Sequence, residues 1–460
     1  MNKLLTIATI ACTCILSCKS SNPLTGYVPH VQDLSSDEKL MDKVQRDVLK
    51  YFWDFAEPNS LLGRERYHTD GIYPQNDAHV ITTGGSGFGL MTILVGVERG
   101  FIPRKEAVKR LTHMADFLAK SDRHHGAWSH WINGETGKTV PFGRKDNGGD
   151  LVETAFLVQG MITVREYFKN GNTEEKALAK KMDDLWKGVE WSWYTKGGEK
   201  ILYWHWSPNY GWEMNFPLKG YDETLITYIL AASSPTFPID AETYHKGWTR
   251  NGTFTTDKTK YGLPLYVKHN GAEEYGGPLF WSQYSYLGLD PTDLSDRYIK
   301  NYFDLNKNHA LISYKYAQEN PKNWKGYGPN YWGMTASYTR NKDGSVGYTA
   351  HMPSNDNGVI TPTAAISSFP YTPKESMNVL RFLYTQKPQF IGVAGPYDAT
   401  SIHYEDWFTP RYLAIDQGTI SPMIENYRTG MLWKLFMNAP DIQKGLKKLD
   451  FKSTKYNINK

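Results

Sequence analysis

Asp146-Asn147-Gly148-Gly149-Asp150-Leu151-Val152-Glu153-Thr154-Ala155-Phe156 is the stretch on which the reading of the chain turns. Two glycines close a loop, an acid stands where a helix would begin, and apolar residues then run on to Phe168. A helix start suits anions, because free N–H groups and the helix dipole point at them. Asp150 and Glu153 are three apart, so on a helix they share a face, with Cβ atoms roughly 5–6 Å apart. Two readings stay open. In one, Asp150 caps the helix and Glu153 completes the capping arrangement. In the other, both carboxyls face a reaction site.

Helical patterning recurs on both sides of this stretch. Ser36-Asp37-Glu38 starts a helix that carries Leu40, Val44, Val48, Tyr51 and Phe52 at helical spacing. Segments 85–98, 150–168, 173–194, 222–232, 296–317, 358–367, 373–383 and 418–437 follow, with Pro103 at a further helix start. No rhythm of strand, Gly-rich turn and helix appears. Short β-hairpins are expected at 124–142, around Asn133-Gly134, and at 340–351, around Asp343-Gly344. About a dozen helices without a linker-like break after residue 36 predict an all-α class: one toroid of paired helices, 37–460, as a single domain. A helical solenoid would show a fixed repeat period, and none is visible.

The loops between helices are long and aromatic. Trp204-His205-Trp206-Ser207-Pro208-Asn209-Tyr210-Gly211-Trp212 and Asn330-Tyr331-Trp332 are examples, and loops of this kind are usually functional. The chain holds 15 Trp, 31 Tyr and 19 Phe, 14% aromatic in all. Aromatic planes stack on the apolar C–H faces of pyranose rings, so a sugar-binding groove is expected. The plainer alternative is an aromatic-rich core. Trp206, Tyr210, Trp212, Tyr331 and Trp332 are the candidate substrate contacts.

Acids recur where aromatic loops enter helices. Trp212-Glu213-Met214-Asn215 leads to Gly220-Tyr221-Asp222-Glu223, and Asp416-Gln417-Gly418 leads to Ile424-Glu425-Asn426-Tyr427-Arg428. In the last group a buried Glu425–Arg428 ion pair holding two helices is the bland alternative. Acids at such junctions of a toroid converge on one rim. A glycosidase needs two, one protonated and one ionised, and crowding carboxylates pushes their pKa values apart.

Other chemistries find little support. The net charge is +4, from 52 basic and 48 acidic residues, with no basic stripe for nucleic acid. His124, His125 and His130 lack the spacing of a helix-borne zinc pair, so neither metal nor cofactor is expected. Gly84-Gly85-Ser86-Gly87-Phe88-Gly89 fits neither a P-loop nor a nucleophile elbow and suits close helix packing or backbone brought to a ligand. The N-terminus reads as a lipoprotein signal peptide, 1–18: a charged start, an apolar run 4–16, and Ser17-Cys18 before polar residues. Cys18 is then the lipidation site, 19–36 a linker, and the location periplasmic with a membrane anchor, or soluble if cleavage falls elsewhere. All three cysteines, Cys12, Cys14 and Cys18, lie in that segment, which leaves no disulfide or thiol chemistry beyond it.

The motifs around Asp150, Glu213, Glu223 and Asp416 resemble those of the bacterial glucoamylase-like domain that includes glycoside hydrolase family 144. The resemblance extends over nearly the whole chain after the linker. It implies an (α/α)6 barrel acting on β-1,2-glucan or β-1,2-glucooligosaccharides with inversion, either within the chain or from an end with release of sophorose. The α-glucosidic bonds that the glucoamylase label suggests are not implied. Carried over by motif, the acidic cluster is Asp146, Asp150, Glu153 and Glu223, with Glu213 near the substrate and Asp222 given no role. The favoured assignment is Glu223 as acid and Asp150 or Glu153 as base. Tyr427 is added as a substrate contact. Action from a chain end needs a blocked groove, and the loop 57–77, with Arg64, Arg66, Tyr67 and His68, is a plausible stop; Arg66 has the donor fork to bind hydroxyls. A lipid-anchored glycan-binding protein without catalysis would share the aromatics but has no need of the acids. A lyase or epimerase on the same frame would give unsaturated products or no cleavage. The sequence says nothing of oligomeric state.

Overall fold

The computed structural model describes residues 34–459. The signal peptide, Cys18 and nearly all of the linker lie outside these. Twelve α-helices are present among the described residues: α1 Asp37–Trp53, α2 Thr83–Glu98, α3 Arg104–Lys120, α4 Leu151–Phe168, α5 Thr173–Lys187, α6 Leu225–Ser233, α7 Tyr302–Glu319, α8 Pro362–Ile366, α9 Pro373–Gln386, α10 Ala414–Arg428, α11 Met431–Met437 and α12 Pro440–Lys448. The strands form small sheets of two or three, none of them closed.

The helices make two layers. α2, α4, α6 and α10 are buried almost all round, whereas α1, α3, α5 and α9 bury one face. The pattern follows from composition: α1 and α5 interleave Lys, Asp and Glu with apolar residues, while α2 and α6 contain almost no charge. Outer α1 packs on α2 and α10, and α5 on α4. Inside, α2 and α4 meet backbone to backbone. A Cβ on Gly87 would stand 2.3 Å from the Phe156 carbonyl oxygen, and one on Gly160 would stand 2.2 Å from that of Gly87. Close helix packing is thus one use of the 84–89 glycines.

Several helices start or stop differently from the sequence expectation. The 222–232 segment begins only at Leu225, because Asp222 turns the chain first by accepting from the Thr224 N–H and hydroxyl. The 296–317 segment begins at Tyr302 under an Asn301 cap, since Asp296 closes its own turn on Tyr298 and Ile299. The 418–437 helix divides at Gly430, whose φ of 66° no continuing helix adopts. Both expected hairpins form. Trp131–Asn133 pairs with Thr139–Val140 and also with Val80–Thr82, and Ala336–Arg340 pairs with Val346–Ala350.

Three inner helices are entered directly from short strands: α2 from Val80–Thr82, α4 from Gly149–Asp150 and α10 from Arg411–Leu413. This arrangement brings the N-terminal ends of α2, α4, α6 and α10 to one cavity, which Thr82, Glu153, Glu223, Leu413 and Ile415 help to line.

Candidate active site

The cavity measures about 380 Å³, within the range of small-molecule sites. Its polar wall is Glu65, Arg66, His130, Glu153 and Glu223, and its aromatic wall includes Trp131, Trp204, Phe280, Tyr284, Tyr338 and Tyr348. Tyr348 comes from the second strand of the 336–350 hairpin and is largely exposed, so it stands at the mouth.

Glu223 sits two residues before α6, in the turn that Asp222 holds. Burial pushes its pKa well above the ordinary carboxylate value, and the charges of Asp222, Glu153 and Asp150 add to the effect. Its backbone carbonyl is fixed by the Ser285 hydroxyl at 2.6 Å, which leaves the carboxyl directed by a rigid main chain. Asp222 is held instead by Thr224 and by Asn270 at 2.8 Å, and burial raises it to about 6.

Glu153 accepts a 2.7 Å bond from the Gly84 N–H at the start of α2. A Cβ on Gly84 would fall 2.5 Å from that carboxyl, so the glycine run also brings backbone to a catalytic-type group. Burial and the Asp150 charge lift Glu153 to about 7, against the pull of His130. Asp150 does something else. It is fully buried and caps α4, accepting from the Val152 and Glu153 N–H groups at 3.0 and 2.9 Å, while His130 Nδ1 donates to its other oxygen at 2.9 Å. Burial disfavours the His130 cation, yet Glu153 and Asp150 outweigh this and raise its pKa to about 10. The capping reading therefore holds for Asp150 but not for Glu153, and the Asp150 carboxylate engages the helix start and His130. Asp146 is also buried, with His205 Nδ1 3.2 Å from its carboxyl, and lies beside this network rather than on the cavity wall. His130, Asp146 and Asp150 hold ligand-type atoms within 4.8 Å of one another. A protonated His130 offers a cation no lone pair, which weakens that trio as a metal site.

The remaining expectations divide. Arg66 lines the cavity, paired with Asp77 at 3.2 Å and lying over Trp131. Of its neighbours, Arg64 bonds the Phe55 carbonyl, Tyr67 stacks on Phe55, and His68 is buried against Tyr73. Trp206, Tyr210 and Trp212 lie on the loop whose Trp204 reaches the cavity, but they face its far side: Trp206 meets His125 edge-on, Tyr210 meets Arg144, and Trp212 lies beside Trp193. Glu213 is exposed and paired with Lys145. Tyr331 and Trp332 are buried core residues, on Phe390 and Tyr314, and Tyr427 sits at the C-terminal end of α10 against Phe369. Glu213, Tyr331, Trp332 and Tyr427 thus lie outside the lining of the cavity. In place of the Glu425–Arg428 pair, Glu425 binds Arg99 of the α2 end, and Arg428 binds Asp42 and Glu38 of α1.

Three features of the site went unread in the sequence. Glu65 and His130 carry no spacing signal, though His130 abuts a hairpin that was legible. The third is a buried carboxyl pair behind the wall. Asp416 is hydrogen-bonded to Asp398 and accepts from the Tyr284 hydroxyl at 3.3 Å, while Asp398 holds the Tyr338 N–H at 2.8 Å. Burial and the Asp398 charge push Asp416 well up, and burial raises Asp398 to about 6. The pair positions the two cavity tyrosines.

Helices in two layers, meeting with their N-termini at a cavity of carboxyls and aromatics, are the frame that this chain shares with solved β-1,2-glucanases. Residues 215–440 match the Glycoamylase family model, described as "Putative glucoamylase". An endo-β-1,2-glucanase of Chitinophaga pinensis, solved with sophorotriose and glucose, is 56% identical over 92% of this chain and 99% of its own, with a TM-score of 0.88. A β-1,2-glucanase structure from Parabacteroides distasonis is 44% identical over 90% of this chain and 60% of its own, with a TM-score of 0.83. An exo β-1,2-glucooligosaccharide sophorohydrolase (non-reducing end) of the same organism is 45% identical over 436 residues; the match takes in 90% of this chain but 58% of that protein's length. The chain belongs to the bacterial glucoamylase-like family that includes glycoside hydrolase family 144.

Proposed function

We propose that the protein hydrolyses β-1,2-glucosidic bonds in β-1,2-glucan or its oligosaccharides, with inversion at the anomeric carbon. The observation that carries this is Glu223: a buried carboxyl whose pKa is pushed well above the ordinary carboxylate range, on the wall of an aromatic cavity that Glu153 also lines. Glu223 donates its proton to the glycosidic oxygen. An ionised carboxylate takes a proton from the attacking water on the other face of the ring, and we assign that part to Glu153. Burial leaves Glu153 only partly ionised at neutral pH, but its raised pKa of about 7 makes the carboxylate a stronger base and lies where proton transfer at neutral pH is most effective. NMR of the first-formed product tests the stereochemistry. The α-anomer should appear first, and β-anomer would overturn inversion. Glu153→Gln should abolish turnover while Glu65→Gln keeps a measurable part; the reverse would move the base to Glu65.

Arg66, paired with Asp77 on the cavity wall, favours recognition of a chain end and release of sophorose, the activity named for the Parabacteroides relative. The exposed aromatics leading away from the cavity favour a second reading, cleavage within the chain, as named for the Chitinophaga enzyme. Early products from long β-1,2-glucan decide: sophorose alone for the first, mixed lengths for the second.

The two helical layers support the six-paired (α/α)6 barrel as the frame of a single catalytic domain over 37–460. Cys18 acylation and a periplasmic location belong to the same proposal and rest on the residues before 34. Cys18→Ser should block acylation and processing, leaving a longer precursor; normal processing and unchanged fractionation would remove the anchor.

A further inference from the structure

Outside the cavity, an open groove of about 690 Å³ runs between Trp193, Trp212 and Phe237, floored by the Lys196-Gly197-Gly198 turn. The geometry points to a second glycan-binding surface here, one that holds pyranose units of the same β-glucan away from the bond being cut. This rests on the proposed function for the identity of the polymer.

The two indoles are held from behind. Trp193 stacks one face on His125 at 3.7 Å and 16°, and His125 is itself tied to Glu190 at 3.1 Å. Trp212 is braced edgewise by Tyr194 and Tyr203, at 6.0 and 5.8 Å. The rings lie 6.4 Å apart, tilted by 33°, so together they make a shallow platform. Trp193 is 40% exposed and Phe237 on the facing wall 38%. Tryptophan rings this exposed, yet fixed in orientation, suit a ligand with flat apolar faces, since little side-chain freedom is left to lose on binding. Glu190 and Lys196 put hydrogen-bonding groups beside the rings, which suit a hydroxyl-rich ligand. A Cβ at Gly197 or Gly198 would meet nothing within 4 Å, so the floor is open.

The groove also connects to the cavity. Lys196 donates to Asn215 at 3.0 Å. The next residue, Phe216, is 50% exposed and packs edge-on against Trp204 at 5.4 Å, and Trp204 lines the cavity. Phe216 and Asn215 thus join the loop's cavity residue, Trp204, to Lys196 at the edge of the groove on the loop's other side.

The test uses a Glu223→Gln background, which keeps the ligand uncut, and isothermal titration with long β-1,2-glucan and with sophorotriose. Trp193→Ala should weaken the long chain about 3- to 10-fold, the range for loss of one aromatic partner, and leave the trisaccharide unchanged. Phe237→Ser repeats the test without touching the His125 stack, and thermal midpoints check that both variants fold. Unchanged long-chain affinity in both variants overturns the groove alone. Equal loss for both ligands also overturns it, because Trp193 would then be supporting the cavity. If the Glu223→Gln protein binds neither β-1,2-ligand, the proposed function fails, and the groove's assignment to this polymer fails with it.

Discussion

Replacing Glu223 by Gln should make the protein slower and more stable at once. The isostere keeps the shape of the carboxyl and removes its transferable proton. General acid catalysis contributes typically 10²–10⁴-fold, so kcat should fall by that factor, about 2.7–5.5 kcal/mol of barrier. The stability effect follows from burial. Glu223 holds its proton more tightly folded than unfolded. The folded state therefore binds more protons above the unfolded pKa, near 4.3, and stability drops as pH rises from there toward the folded value. Glutamine has no proton to lose, so the variant escapes the drop. Each unit of pKa displacement is about 1.4 kcal/mol, or about 1–2 °C for a chain of this length. Thermal midpoints of parent and variant should coincide near pH 4 and separate in the variant's favour by pH 8. Residual turnover above a tenth of the parent's would refute the acid role. A variant no more stable than the parent at pH 8 would refute the buried, protonated carboxyl on which that role rests.

Other perturbations separate catalysis from packing. His130→Asn leaves the Asp150 carboxylate without its cation, a loss of about 3–5 kcal/mol for a broken buried pair. The folded pKa of about 10 lies above the ordinary imidazole value of 6.5, so this contribution is complete below the lower value and fades as pH rises through the upper one; denaturation midpoints should converge near pH 11. Arg99→Ala should cost about 3–5 kcal/mol in urea denaturation by stranding Glu425, with turnover per folded molecule unchanged. Gly87→Ala forces α2 from α4 and should destabilise by about 1–3 kcal/mol or more, whereas Gly143→Ala, with only the Asp146 Cβ at 4.0 Å, should stay within about 0.5 kcal/mol. A scan of midpoints across these variants in one buffer makes the comparison.

The helices were legible because their periodicity and caps are local. α1, α4 and α5 start within a residue or so of positions 36, 150 and 173, and Ser36, Asp150 and Asn172 cap them through side-chain oxygens. Boundaries drifted where a side chain competed for the backbone, as Asp222 and Asp296 do. The hairpins were legible through their Asn-Gly and Asp-Gly turns. The aromatic contacts were read least well, because composition does not say which way a ring faces. Trp204 and Trp212 share a loop, yet one lines the cavity and the other the outer groove, and Tyr331 and Trp332 look like loop aromatics in sequence while packing the core.

The acids show why a shared motif does not imply a shared task. Asp150, Glu223 and Asp416 all stand at the entrance of an inner helix. What divides them is the set of partners that reaches each carboxyl. Asp150 receives two helix N–H groups and an imidazolium, which hold its pKa down against burial; it is an anchor and has no proton to give. Asp416 shares a hydrogen bond with Asp398 and lies behind Tyr284, so its charge state is set by its neighbour. Glu223 has neighbouring negative charge and burial, with its own N–H as the opposing hydrogen bond that moderates its pKa. A carboxyl so placed keeps its proton until a leaving oxygen offers a better place for it, and that difference in surroundings, not position in the motif, is why we propose Glu223 as the acid.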